Sequence, residues 1–244
     1  METVADGGLE ILLLGLVIGM KHALEADHVA AVSSIAARET SMRRIITDGA
    51  VWGVGHTLTL MIVAGGAVVF GLTIGGAVAE RLELVVGVML VGLGGHVVYA
   101  LARERIHFHR HRHADGTTHF HAHSHKGETS AHDVGRHHHG HPRGLPIRSL
   151  LVGMMHGMAG SATLMVLSAT TVSSVRLGLG YIVLFGVGSI FGMAALSALI
   201  AVPLTWSARA LTWANTGLQA AIGSATVVLG CLIIGEHWRS LIGS

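Results

Sequence analysis

The sequence predicts an all-α polytopic membrane protein whose six transmembrane helices form a 3+3 inverted repeat. Three observations lead there. Only 12% of the 244 residues are charged and 51% are hydrophobic, whereas a soluble domain carries ~25% charge. Asp, Glu, Lys and Arg are absent from residues 49–79, 84–102, 149–175, 177–208 and 210–235, and each stretch meets the ~18 apolar residues that mark a membrane span. The two halves also resemble each other: Gly19-Met20-Lys21-His22 matches Gly153-Met154-Met155-His156, Gly53-Val54-Gly55-His56 matches Gly186-Val187-Gly188-Ser189, and Gly87 and Gly94 match Gly223 and Gly230. Three spans per half is an odd number, so the second half enters from the opposite face, as in many secondary transporters.

The helices are expected near residues 9–35, 47–72, 82–103, 147–172, 177–202 and 214–236. They give a first repeat over 9–103, a loop over 104–146 and a second repeat over 147–244. The first helix is apolar and long enough to span, although it carries Glu10, Lys21, Glu25 and Asp27. Its leading residues, Met1 to Asp6, lack the basic start of a signal peptide, so it reads as a retained helix. The second, third and sixth helices follow from their uncharged runs. In the first, fourth and fifth, the pairs Gly15/Gly19, Gly153/Gly157 and Gly188/Gly192 set small residues at the four-residue spacing that lets helix backbones approach. A single cysteine, Cys231, excludes a disulfide framework, paired redox thiols and thiolate metal clusters.

Lys and Arg fall unevenly on the connections. Twelve (Arg38, Arg43, Arg44, Arg103, Arg105, Arg110, Arg112, Lys126, Arg136, Arg143, Arg148 and Arg209) lie in one set and three (Arg81, Arg176 and Arg239) in the other. The positive-inside rule then places both termini outside and the 104–146 loop in the cytoplasm, for a multi-pass protein of the cytoplasmic (inner) membrane. The same asymmetry accounts for the formal charge of +2, so the partner implied is a lipid bilayer and not a nucleic acid.

The first helix carries the chemistry. An ionised side chain at mid-bilayer costs on the order of 2.5–3.5 kcal/mol even on the mildest scale, and so must face protein, water or a ligand. Lys21 and Glu25, four residues apart, are spaced to neutralise each other, which leaves Asp27 to be explained. On a regular helix His22, Glu25 and His28 share one face and Asp27 points off it. Two imidazoles and a carboxylate without thiolate suit a borderline divalent transition metal. Asp27 joins them as a ligand if the helix is broken there, or orients a ligating histidine if it is not. His56 and His156 add imidazoles from other helices, and His156 stands at the repeat position of His22. His96 has no such support and reads as structural. Ser161 and Ala162 stand where the first half has Asp27 and His28, which implies one asymmetric metal site.

The run Lys21-His22-Ala23-Leu24-Glu25-Ala26-Asp27-His28 resembles the signature of the nickel/cobalt transporter superfamily, a basic residue followed by His-Ala-x-Asp-Ala-Asp-His. Gly55-His56-Thr57 resembles the Gly-His-Ser/Thr motif on that family's next helix, and six spans fit its urease-accessory-type nickel permease branch. The resemblance implies that His22, Asp27 and His28 are essential for handling metal and that His56 contributes, with Glu25 standing where the family has Asp. It implies Ni²⁺ or Co²⁺ as transported substrate, with Zn²⁺ as an alternative, a link to urease maturation, and a cytosolic nickel chaperone as partner.

Thirteen of the 19 histidines lie between His107 and His141. They include His107, His109, His111, His113, His119, His121, His123, His125, His137, His138, His139 and His141, a composition that binds metal. With few apolar residues, the loop is expected to be disordered without metal.

The reading is therefore a secondary transporter that imports Ni²⁺ or Co²⁺, and not an enzyme. An efflux permease is the first alternative. A membrane-anchored metal store or chaperone acting through the loop is the second, although an anchor has no reason to bear intramembrane charges.

Overall fold

The computed structural model describes residues 2–72, 75–103, 107–112, 118–123, 146–171, 174–210 and 212–242. Eight α-helices run through it: α1 (Glu2–His22), α2 (Ala26–Ala36), α3 (Met42–Leu60), α4 (Gly66–Phe70), α5 (Gly76–Arg103), α6 (Ile147–Thr171), α7 (Val175–Ala210) and α8 (Thr212–Ile242). Four helical stretches, Met42–Phe70, Gly76–Arg103, Val175–Ala208 and Trp213–Trp238, are long and apolar enough to cross a membrane. Their outward faces agree with that: Ile62, Val88, Leu199 and Leu232 are 62–70% exposed, a surface suited to lipid.

Three differences from the sequence expectation bear on function. The helix expected over 9–35 is two helices, α1 and α2, joined by a turn at residues 23–25 in which Leu24 N–H donates to the Lys21 carbonyl (2.9 Å) and Glu25 N–H to that of His22 (3.1 Å). The second expected helix widens into a π-helical turn at Met61–Gly65, between α3 and α4, a feature often found near functional sites. The fifth continues past residue 202 through Pro203.

The 107–141 tract, expected to lack regular structure, contains two short strands, β1 (His107–Arg112) and β2 (Thr118–His123). They pair antiparallel with His107 opposite His123, His109 opposite His121 and His111 opposite His119. Strict alternation along each strand gives the period of two that a strand needs. His113, His125, His137, His138, His139 and His141 lie outside the described residues.

Glycines set how closely the helices approach. A Cβ at Gly19 would strike the Phe185 carbonyl, and one at Gly188 the Leu16 carbonyl, so α1 and α7 meet backbone to backbone. Gly153 against Trp52 and Gly55 against Leu150 do the same for α3 and α6. Gly87 against Gly230 and Gly94 against Gly223 do it for α5 and α8. Helix association in lipid relies on such close packing. Around these seams a core of Ala31, Val32, Trp52, Leu90, Met193 and Leu196 closes over α2, α3, α5 and α7.

Candidate metal centre

The break after His22 builds the centre. The turn at Ala23-Leu24-Glu25 ends the helical register that would hold Asp27 off the histidine face, and α2 restarts with Asp27 in its first turn. Asp27 thereby reaches two imidazoles at once. Its Oδ1 lies 3.0 Å from His28 Nδ1 and its Oδ2 2.8 Å from His156 Nε2 on α6. The break also separates Lys21 from Glu25, whose expected pairing gives way to one between Glu25 Oε1 and His22 Nδ1 at 2.9 Å.

An ionised carboxylate only accepts, so each of these imidazoles donates the bonded N–H and presents its other nitrogen as a lone pair. His22 Nε2, His28 Nε2 and His156 Nδ1 are those other nitrogens, and all three are buried with no hydrogen-bond partner. His56, fully buried on α3, has neither nitrogen partnered. Buried polar atoms left unmade cost on the order of 1–3 kcal/mol each. A cluster of them is the signature of a ligand site.

The rings converge. Centroids of His22 and His28 are 4.3 Å apart, those of His28 and His156 4.2 Å, and His56 lies 5.3, 5.2 and 5.9 Å from His22, His28 and His156. Ligand atoms of His22, His28 and His56 fall within 4.8 Å of one another, as do those of Asp27, His28 and His156. His28 belongs to both sets. All six residues singled out in the sequence thus come together, with Glu25 at the exposed edge, its side chain 57% exposed against 24% for Asp27. His96 is exposed on α5, away from the cluster.

Sequence reasoning missed two aromatic walls. Trp52 stacks edge-on to His28 (5.3 Å) and His156 (5.5 Å) and lies 6.2 Å from His56, while Phe185 lies 5.2 Å from His22. The signal for Trp52 was its position four residues before His56, on the same helix face. Thr57, the third residue of the Gly-His-Thr run, donates to the Gly186 carbonyl at 3.0 Å and ties α3 to α7 beside the centre.

Among known proteins, the chain is 35% identical over 216 residues to the urease accessory protein UreH of Bacillus sp. (strain TB-90), an alignment covering 86% of this chain and 85% of that protein. The chain belongs to the UreH family. No family model matches it and no solved structure matches it. The UreH relative is named for an accessory role to urease and not for a catalytic activity. A carboxylate-braced imidazole cluster of this kind offers the nitrogen-rich donor set that suits a borderline divalent metal ion.

Proposed function

We propose that the chain is a secondary transporter that imports Ni²⁺, with Co²⁺ as alternative cargo, across the cytoplasmic membrane through the cluster of His22, Asp27, His28, His56 and His156, with Glu25 at its edge. One observation carries the reading: three buried imidazoles and the half-buried His22 hold buried, unpartnered nitrogens close to one another inside the helices. Nitrogen donors with one carboxylate favour a borderline divalent ion over Mg²⁺ or Ca²⁺. The urease connection in the relative's name favours nickel.

Alternating access needs two bodies that rock about the site, and the packing supports a 3+3 inverted repeat of six spans. A two-fold exchange of the halves carries the Gly19–Phe185 contact onto Gly153–Trp52, Gly188–Leu16 onto Gly55–Leu150, and Gly87–Gly230 onto Gly223–Gly94. In that scheme α1 with α2, and α6, are the first and fourth spans, the termini lie outside and the 104–146 loop is cytoplasmic. The halves differ where the function is asymmetric, since α6 runs unbroken through Ser161 and Ala162 while the first span breaks before Asp27. The histidines of the 107–141 loop then serve as a cytosolic metal buffer that hands the ion to a chaperone.

Ni²⁺ flux into proteoliposomes tests the reading. Wild-type protein takes up Ni²⁺ in preference to Zn²⁺ and His28→Ala does not. Tight metal binding without flux would instead favour the store or chaperone.

A further inference from the structure

We propose that Asp48 and Ser197 form a second cation station, partitioned from the histidine cluster by the Trp52 indole, on the route between that cluster and the membrane face bearing Arg43 and Arg44. The inference rests on the transport reading above and extends it to the path the ion takes.

Asp48, Trp52 and His56 are spaced four residues apart on α3, so they lie along one face, each step climbing about 6 Å. His56 belongs to the cluster. Trp52, fully buried, covers three of its imidazoles. Beyond the indole lies a cavity of about 10 Å³, room for one water, walled by Val32, Ile35 and Ile45 and holding Asp48, Trp52 and Ser197. Ser197 on α7 is fully buried and its Oγ has no partner. Gly49 allows that approach, because any side chain there would run into Ser197. The Asp48 carboxylate bonds Ser149 and lies in the field of Arg44 and Glu39.

Asp48 is a carboxylate within a spanning segment and shares the wall of a small, mainly apolar cavity with one buried, unpartnered hydroxyl, and ionisable groups so placed mark ion pathways. Its chemistry differs from the cluster's in a useful direction. Carboxylate and hydroxyl oxygens hold a borderline divalent ion less tightly than imidazole nitrogens do. An ion moving from the histidines past Trp52 to Asp48 and Ser197 therefore leaves the strong donors in two smaller uphill steps instead of one, which speeds release to water.

The test is Ni²⁺ flux into proteoliposomes of the full chain, measured across Ni²⁺ concentrations. Asp48→Asn is expected to lower the maximal rate about tenfold while leaving the half-saturating concentration unchanged. Asp48→Glu restores most of the rate, and Ser197→Ala lowers it about threefold. Wild-type rates in both Asp48→Asn and Ser197→Ala would overturn the station alone. Equal losses in Asp48→Asn and Asp48→Glu with Ser197→Ala unaffected would assign Asp48 to packing and also overturn it. No flux in the wild type would refute the transport reading and the station with it.

Discussion

His156 Nε2 and Asp27 Oδ2 stand 2.8 Å apart although 129 residues separate them in the chain. That bond joins α2 to α6 and, through the second oxygen of the same carboxylate, holds His28 in a fixed orientation. One side chain thus sets the tautomer of two candidate ligands. The ends of the centre are braced unequally, since Glu25, which holds His22, is largely exposed.

The unequal bracing predicts unequal losses. Asp27→Asn should weaken Ni²⁺ binding by 10–100-fold, the usual effect of removing a carboxylate that orients a ligating histidine. Glu25→Gln should cost only a few-fold, because water competes at the exposed edge. Competition against a chromophoric chelator, on protein lacking the loop histidines, gives both numbers.

Glycine contacts predict where the bundle tolerates no side chain. Gly153→Val would drive methyl groups into the Trp52 backbone and should destabilise by about 1–3 kcal/mol. Gly92→Ala, at a position facing open space, should leave the unfolding temperature in detergent unchanged. Thermal unfolding of the two variants beside wild type checks this.

Proton competition sets a pH dependence. Imidazole holds metal only in its neutral form, so protons and Ni²⁺ compete for the same nitrogens. Apparent affinity should fall as pH is lowered far enough to protonate the imidazoles, and binding at such a pH should release protons. Calorimetry in buffers of different ionisation enthalpy reads that release directly, and a binding heat independent of buffer would contradict it.

Removal of residues 107–141 should leave the maximal Ni²⁺ flux near its wild-type value and change only delivery or apparent affinity. The centre is built from α1, α2, α3 and α6, none of which includes the loop. Flux of the deletion variant checks the separation.

Much of this was legible in the sequence, and the exceptions have physical causes. Apolar runs without charge pointed to the long helices because lipid demands them, and four of these are long and apolar enough to cross a membrane. His22, Asp27, His28 and His56 stood out because ionisable groups are rare in such helices, and His156 through its repeat position. The break at residues 23–25 was not legible: the segment has no proline or glycine, and what marks it is tertiary, the fully buried Ala23 lying against Gly192 of α7. A helical wheel assumes continuity, so it placed Asp27 away from the ligands. Trp52 was hidden because an indole on an apolar helix reads as core. Asp48 was hidden because the expected helix begins at residue 47, which puts the carboxylate at a helix end where charge is ordinary, whereas α3 begins at Met42.

The most direct test of the central claim is nickel K-edge X-ray absorption on protein lacking residues 107–141, loaded with one equivalent of Ni²⁺. The account predicts one ion per chain with at least three imidazole ligands, lost in His28→Ala. Failure of the loop-less protein to bind Ni²⁺, or an all-oxygen shell unchanged by His28→Ala, would contradict it.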